Sequence, residues 1–266
     1  MSDWLKQVQT KGRGLPSRLV LHGVEGVGKS SFGAFAPSPI FIMGRGETGL
    51  ETLIDSGQLP EIPHLPELQS WPDVLAAINE ILTADHKYRT LVIDTLNSLE
   101  RLCHEEVCRR EFANDWGEKG FVGWQRGFEI SLADWRVFLA LLDRVREERQ
   151  MAIIALCHTK VGNFTNPEGP DFDRYMPDLH KKTWGLTHKW ADLVLFANFE
   201  TQVQDEKKKK SKGVGGQDRI IYTERHAAWD AKNRHGLPPE ISMGNSGKEA
   251  WNNFLQAMQD SRRGGK

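Results

Sequence analysis

A glycine-rich segment followed by a lysine and a serine is the part of the sequence that points most directly to chemistry. Residues 23–30 read Gly-Val-Glu-Gly-Val-Gly-Lys-Ser, which matches the spacing Gly-x-x-x-x-Gly-Lys-Ser/Thr. Glycines let successive backbone N–H groups curl around a phosphate at a helix N-terminus, where the helix dipole favours anions. In such a loop Lys29 neutralises the β- and γ-phosphates of a nucleotide, and the Ser30 hydroxyl ligates magnesium.

The pattern therefore predicts a phosphate-binding loop, or P-loop, that takes ATP and Mg²⁺. The predicted binding residues are Gly23, Val24, Glu25, Gly26, Val27, Gly28, Lys29, Ser30 and Ser31. The alternative is a chance glycine-rich turn. The apolar run at 18–22 argues against that alternative, because a P-loop connects a buried strand to a helix.

A carboxylate closes a second apolar run, Leu-Val-Ile-Asp at residues 91–94. Asp94 would stand at the carboxyl end of a buried strand beside the P-loop, where a second, rigidly held magnesium ligand is needed. The alternative is that Asp94 or Thr95 caps the helix that follows. We expect Ser30 and Asp94 to form the protein part of the metal site.

Two further polar residues follow predicted strands. Glu47, in Gly-Arg-Gly-Glu-Thr-Gly at 44–49, is the best placed carboxylate to orient or deprotonate an attacking water, and Glu51 is the second choice. His158 ends another strand and begins a polar segment, so it is expected to sense the γ-phosphate. The alternatives are a solvated glutamate in a turn and a histidine that serves only the core or a cap.

The elements that must position these residues alternate between strands and helices. An α/β fold is expected, with a mostly parallel sheet flanked by helices and a C-terminal antiparallel hairpin, and with the nucleotide at the carboxyl ends of the strands. The five predicted core strands are 18–22, 40–43, 90–94, 151–157 and 191–196. Predicted helices cover 30–36, 70–83, 97–116 and 124–150, and the segment 158–182 reads as a long polar loop.

Composition narrows the function classes further. The 266 residues carry a net charge of −1, so nucleic-acid binding would need a local basic patch. No stretch of about 18 apolar residues is present, which predicts a cytoplasmic protein without a membrane span. The three cysteines lack Cys-x-x-Cys spacing, which argues against zinc.

Taken together, these residues resemble the RecA-like recombinase core. The closer resemblance is to the short RecA-like ATPases of bacteriophages, the Sak-type single-strand annealing proteins of the phage nucleotide-binding AAA group. The resemblance spans about residues 17–243. Besides the P-loop, its elements are Glu-x-Gly-Leu at 47–50, Leu-Val-Ile-Asp-Thr at 91–95, Cys-His-Thr-Lys at 157–160 and Ala-Lys-Asn-Arg-His-Gly-Leu-Pro at 231–238.

The resemblance implies a RecA-like P-loop ATPase core and several further roles. Lys232 and Arg234 match cations that reach a neighbouring subunit's γ-phosphate, although a basic turn between terminal strands is the alternative. The segment 159–182 matches the family's second DNA-binding loop. It offers Lys160, Phe164, Arg174, Lys181 and Lys182 for single-stranded DNA, and its acidic residues nearly balance that charge.

The resemblance also sets the expected domain organisation. A short N-terminal segment covers 1–17, the ATPase core covers 18–243, and a C-terminal helix and tail cover 244–266. Within the core, 205–217 is expected to be a mobile basic hairpin tip whose Lys207, Lys208, Lys209 and Lys210 contact DNA. The alternative for this lysine run is a solvated surface. The family's usual position for an acidic residue directly after the second strand is Gly44 here, which makes Glu47 a departure from the pattern.

Three functions fit these features. The first is ATP hydrolysis coupled to single-stranded DNA in phage-type recombination or annealing, with a homo-oligomer on DNA and a single-strand-binding protein as partners, in the bacterial host cytoplasm. The second is a nucleotide-gated module that recruits replication or recombination proteins with little hydrolysis. The third is a motor or loader subunit acting on duplex DNA or on other proteins, because the same fold serves many functions.

Overall fold

The computed structural model describes residues 4–204 and 212–264, which fold around one mixed β-sheet. After a 3-10 turn at Trp4–Gln7, the elements are β1 (Arg18–Gly23), α1 (Lys29–Ala34), β2 (Pro39–Met43), α2 (Gly49–Asp55), α3 (Trp71–Thr83), β3 (Thr90–Asp94), α4 (Leu96–Phe112), a 3-10 turn (Gly123–Gln125), α5 (Arg126–Glu148), β4 (Ala152–Phe164), β5 (Phe172–Pro177), α6 (Lys181–Trp190), β6 (Leu193–Gln204), β7 (Lys212–Tyr222), β8 (Lys232–Asn233), β9 (Glu240–Ser242) and α7 (Gly247–Gly264).

The sheet has the strand order β2-β3-β4-β1-β6-β7-β9, and β5 and β8 pair outside this path with β4 and β6. The five strands from β2 to β6 in this order are parallel, whereas β7, β8 and β9 are antiparallel to their neighbours. The predicted α/β fold with a mostly parallel sheet, flanking helices and C-terminal antiparallel strands is confirmed.

Register brings the carboxyl ends of the parallel strands together. Gly23 pairs with His158 across β1 and β4, and Met43 pairs with Asp94 across β2 and β3. Because β4 lies between β1 and β3, His158 stands between the P-loop strand and the strand that carries Asp94. The P-loop, the Asp94 strand and the segment after β2 therefore open at one edge of the sheet.

Helices bury both faces of the sheet. Helices α3, α4, α5 and α6 cover one face, where Trp71 stacks on Trp135 with ring centroids 5.9 Å apart. Helices α1, α2 and α7 cover the other face, where Phe32 of α1 packs against Trp251 and Phe254 of α7. Strand residues alternate between the two cores, as a sheet buried on both sides requires.

Several local predictions hold because their signals are short-range. Helix α3 begins after Ser70, whose hydroxyl accepts the Asp73 N–H, and Pro72 lies in its first turn, where its missing N–H costs nothing. Strand β3 has the predicted bounds. Within residues 4–204 and 212–264, no helix combines the length and apolar character of a membrane span.

The predicted long loop at 158–182 is wrong. Strand β4 continues to Phe164 and pairs antiparallel with β5, and α6 begins at Lys181. The hairpin closes on an aromatic pair, Phe164 and Phe172, with centroids 5.3 Å apart. Cross-strand aromatic pairs stabilise such ribbons, and this pairing is invisible to a search for long apolar runs.

The second hairpin also differs from the prediction. Strand β6 runs to Gln204, with a shift in its pairing register between Phe199 and Thr201, and β7 begins at Lys212, so the last residues of the predicted 205–217 tip lie in a strand. Gln204 pairs with Lys212 at the end of the ladder. The predicted DNA contacts Lys207, Lys208, Lys209 and Lys210 lie outside the described residues.

Candidate nucleotide-binding site

The P-loop leaves β1 at Gly23 and enters α1 at Lys29. A side chain at Gly23 would stand 2.5 Å from the carbonyl oxygen of Ala197 on the adjacent strand, so only glycine fits there. Gly26 and Gly28 have φ of 72° and 98°, a region that favours glycine. The loop thus turns sharply between a buried strand and a helix N-terminus, which is the geometry that presents backbone N–H groups to a phosphate.

The Lys29 ammonium lies inside the loop. It donates hydrogen bonds to the carbonyl oxygens of Gly23 and Val24 at 2.9 and 3.0 Å, and the residue is only 7% exposed. Burial lowers the pKa of Lys29, and the negative charge of Asp94 is the largest opposing influence. A buried cation at the mouth of the loop is suited to neutralising phosphate charge.

Ser30 and Asp94 form a pair of adjacent oxygen donors. The Ser30 hydroxyl donates to Asp94 Oδ2 at 2.6 Å, and Asp94 is 5% exposed. Burial raises the pKa of Asp94 to about 6, and the hydrogen bond from Ser30 acts in the opposite direction. The described residues contain no cluster of three or more His, Cys, Asp or Glu side chains suited to a metal. Two oxygens fit magnesium, which is bound by few protein ligands together with phosphate oxygens and waters.

A tight turn carries Glu47 from the end of β2 to this pair. The Glu47 N–H donates to the Gly44 carbonyl at 3.1 Å, and Gly46 has φ of 91°. Positive φ at the third position is the mark of a type II turn. The three residues that separate Met43 from Glu47 therefore fold back at the end of β2.

Glu47 lies between Thr95 and His158. The Thr95 hydroxyl donates to Glu47 Oε1 at 2.5 Å, and His158 Nε2 is 3.8 Å from Glu47 Oε2. Burial would raise the pKa of Glu47, but His158 and the Thr95 hydroxyl outweigh it and lower the pKa. Glu51, the second choice, lies instead on α2, where its carboxylate is 3.5 Å from His64.

His158 connects this group to the β4–β5 hairpin. Its backbone N–H donates to the Asn97 side chain at 2.7 Å, and the Asn97 amide donates to the Asp178 carbonyl at 2.5 Å. The Asp178 N–H in turn donates to the His158 carbonyl at 2.9 Å. The His158 Nδ1 atom is buried, and no described group bonds to it.

Sequence reasoning missed two residues of this group, Thr95 and Asn97. Both belong to the first turn of α4 and its cap, directly after Asp94. The signal was available, because polar residues that follow a strand-terminal carboxylate lie at the same sheet edge. The sequence pattern indicated Thr95 only as a helix cap or as the last residue of the 91–95 motif, and Asn97 only as the first residue of the predicted helix.

Lys232 and Arg234, which the resemblance predicts to reach a neighbouring subunit's γ-phosphate, have different surroundings. The Lys232 ammonium donates to the carbonyls of His188, Lys189 and Ala191 at the C-terminus of α6, at 2.6, 3.3 and 2.6 Å. Arg234 has a 55% exposed side chain, 3.9 Å from Asp192. Lys232, on β8, therefore caps the C-terminus of α6 in its own chain, whereas Arg234 is accessible.

The DNA-binding candidates on and after the hairpin are also unequal. Arg174 is 5% exposed, pairs with Asp230 at 2.7 Å and lies 5.0 Å from the Phe164 ring, so it is an internal residue and not a surface contact. Arg174 therefore does not present its guanidinium to solvent as the sequence predicted, whereas Phe164, whose ring it contacts, stays a predicted DNA contact. Burial of the guanidinium requires its own counter-charge, and Asp230 provides it.

The three lysines of this region divide in the same way. Lys160 pairs with Asp178 at 2.7 Å, and Lys182 pairs with Glu129. Lys181 is exposed, and no carboxylate within the described part of the chain lies at ion-pair distance from it. Of these three lysines, Lys181 alone has no ion-pair partner among the described residues.

Known proteins resemble this chain to different degrees. No curated protein matches the sequence. A crystal structure of the RadB recombinase is similar to this chain, with a TM-score of 0.45 and 11% sequence identity. The match covers 84% of this chain and 87% of that chain. That similarity is too low to carry a functional inference. A family model described as an AAA domain matches residues 15–235, which include the P-loop, Asp94, Glu47 and His158. The chain therefore belongs to the AAA domain family.

Proposed function

We propose that the protein hydrolyses ATP with magnesium and couples this reaction to single-stranded DNA. The observation that carries the proposal is the continuous contact path from Ser30 through Asp94 and Thr95 to Glu47 and His158. Within that path, Ser30 and Asp94 supply oxygen ligands for magnesium, and Glu47 supplies a carboxylate that can orient water, which are parts that phosphoryl transfer to water requires. The AAA domain family and the resemblance to RecA-like phage proteins support the same reading.

Each side chain has one task in this proposal. Lys29 and the loop N–H groups bind the phosphates, and Ser30 and Asp94 hold the magnesium, which supplies charge neutralisation when bound. Glu47 remains ionised because its pKa is lowered, so it can accept a hydrogen bond or a proton from water. Thr95 fixes one carboxylate oxygen of Glu47 and leaves the other directed toward His158.

Coupling to DNA would pass through His158. A change at the γ-phosphate position shifts His158, and the Asn97 and Asp178 hydrogen bonds transmit that shift to the base of the hairpin. Lys181, at the start of α6, is the proposed phosphate contact for DNA, with Phe164 near the hairpin end. Arg234 is the proposed cation for a neighbouring copy's phosphate, and Lys232 orients the segment that carries it.

A nucleotide-gated binding module remains the second candidate, in which recruitment of recombination or replication proteins replaces DNA chemistry. The ion pairs of Lys160 and Lys182 favour it, because they remove two of the cations that a DNA surface would use. The biological setting of the first candidate would be phage-type single-strand annealing or recombination, with a single-strand-binding protein as a partner.

The deciding experiment is steady-state ATP hydrolysis with and without single-stranded DNA, with Lys29→Ala as the inactive control. We expect DNA to raise wild-type turnover several-fold, and Lys29→Ala to lose on the order of 100-fold or more because phosphate charge is no longer neutralised. Lys87→Ala, an exposed lysine before β3, is the matched control and should behave as wild type. Wild-type turnover that ignores DNA would support the binding module, and duplex DNA acting better than single strands would support a motor or loader.

A further inference from the structure

Arg219 on β7 reaches the P-loop from a strand that is not adjacent to β1. Its Nη1 donates to the Val27 carbonyl at 3.4 Å, within the loop itself. A side chain added at Gly28 would stand 2.8 Å from the same Nη1 atom. The guanidinium thus lies directly against the last two residues of the loop before Lys29, although 192 positions separate Arg219 from Val27 in the chain.

The other side of the guanidinium is fixed by the turn before α7. Arg219 Nη2 and Nε donate to the Gly244 carbonyl at 2.8 and 3.3 Å, and the Met243 N–H donates to the Arg219 carbonyl at 2.8 Å. Gly244 has φ of 60°, so the turn depends on glycine. Arg219 is therefore held at both its backbone and its side chain.

The turn is itself rigid. The Glu249 N–H donates to the Ser246 hydroxyl at 3.1 Å, as at a helix N-cap, and the Glu249 carboxylate accepts from the Asn245 N–H at 2.7 Å, one residue before that cap. Gly247 then meets α1 so closely that a side chain there would stand 2.4 Å from the Ser31 carbonyl oxygen. The Gly244 carbonyl is consequently a fixed acceptor for Arg219.

A guanidinium held in this way orients a peptide group. In a trans peptide the C=O and the following N–H point to opposite sides. A donor on the Val27 carbonyl therefore turns the Gly28 N–H away from Arg219 and disfavours a flip of the 27–28 peptide. P-loop N–H groups bind phosphate only when they point into the loop together. Arg219 also adds a positive charge beside a loop meant for anions.

We propose that Arg219 is a positioning residue of the P-loop: its guanidinium links the Val27–Gly28 peptide to the turn before α7 and thereby sets the affinity for the nucleotide polyphosphate. The inference rests on the proposed nucleotide binding. It assigns the C-terminal turn and α7 a role in binding that no motif in the sequence indicates. Because the oriented N–H contacts phosphate before and during the reaction alike, the role concerns binding more than the chemical step.

The test compares wild type, Arg219→Gln and Arg219→Lys by titration with a fluorescent ATP analogue and by steady-state hydrolysis. We expect Arg219→Gln to raise Kd and KM about tenfold, the effect of losing one charged hydrogen bond, with kcat within about twofold of wild type. Arg219→Lys, which keeps the charge and one donor, should recover part of the affinity. The matched control is Arg136→Gln, an exposed arginine on α5, which should bind as wild type.

The outcomes separate the inference from the proposed function. Wild type that binds no ATP analogue removes the proposed function, whereas an Arg219→Gln variant that binds as tightly as wild type overturns only the inference. A fall in kcat with unchanged Kd also overturns it. Should Arg219→Gln not fold, Arg219→Lys decides, because loss of affinity without loss of thermal stability supports positioning and equal affinity overturns it. Free guanidinium restoring affinity to Arg219→Ala would support the same role.

Discussion

The P-loop end of the sheet and the surface of the β4–β5 hairpin both follow the carboxyl ends of the parallel strands, but they use charge differently. Around the P-loop, the Ser30 hydroxyl donates to Asp94, and the Glu47 carboxylate accepts from Thr95, the residue that follows Asp94. Around the hairpin, Lys160 and Arg174 are neutralised by carboxylates of their own chain. The first region holds the residues that we propose to bind the nucleotide, and the second pairs its charges within the chain.

This difference shows that a sequence motif with defined spacing predicts function better than the residue composition of a segment does. The P-loop motif specifies backbone geometry, so its residues have their roles wherever the loop forms. A segment rich in basic and aromatic residues shows only which side chains are present. Their contacts elsewhere in the fold decide whether the charged groups face solvent. Asp230, for example, lies 56 positions from the Arg174 that it neutralises.

The largest expected effect concerns Glu47, in the region around the P-loop. Glu47→Gln should lower ATP turnover on the order of 100-fold or more, because the amide cannot accept a proton from water, while ATP affinity changes little. Glu51→Gln is the matched control, since Glu51 lies on α2 and its carboxylate faces His64. Turnover and analogue binding are measured for both variants. A larger loss in Glu51→Gln than in Glu47→Gln would reverse the assignment.

The next effect tests whether the hairpin surface is internal. Arg174→Ala should lower the free energy of unfolding by about 3 kcal/mol, because it leaves the half-buried Asp230 carboxylate without its cation. Lys160→Ala removes an exposed pair of similar length and should cost less than about 1 kcal/mol. Urea unfolding measures both. A small loss for Arg174→Ala accompanied by weaker DNA binding would return Arg174 to the surface contacts.

What the sequence could predict follows the same division. The P-loop, β3 and the start of α3 were predictable because apolar runs, glycines and a serine cap act over a few residues. The turn that brings Glu47 to Thr95 was signalled only by Gly46. The hairpin could not be predicted from periodicity, because its strands are amphipathic and held by one cross-strand aromatic pair. Arg219 carried no signal at all, since its partners are backbone carbonyls far along the chain.

A smaller effect tests how much stability the fold loses by burying the ionised Asp94 carboxylate at the proposed metal site. Because burial raises the pKa of Asp94 from 3.8 to about 6, its ionised form destabilises the fold above pH 6 and the penalty disappears below its ordinary pKa. Asp94→Asn, whose side-chain oxygen can still accept from Ser30, should therefore be more stable than wild type at pH 8, on the order of 2 kcal/mol. The two proteins should converge near pH 4.

The difference between the two proteins is the quantity to measure, by urea unfolding at each pH. His22 and His104, whose pKa values burial lowers to about 4, destabilise the fold on acidification in both proteins and cancel in the comparison. Turnover of Asp94→Asn should be lost at every pH, because an amide is a poor magnesium ligand. A stability gain that is equal at pH 8 and pH 4 would show that ionisation of Asp94 is not its source.

The smallest effect asks whether any charge of the hairpin surface reaches DNA. If Lys181 contacts one phosphate of a single strand, Lys181→Ala should reduce the slope of log K against log salt by about 0.7 and weaken binding a few-fold. The matched control is the double variant Lys160→Ala/Asp178→Ala, which removes a neutral ion pair and leaves the net charge unchanged. Its slope should equal that of wild type. The reverse result, with the double variant losing slope and Lys181→Ala keeping it, would mean that the ion pairs of the hairpin open on DNA and that the division between the two regions holds only without DNA.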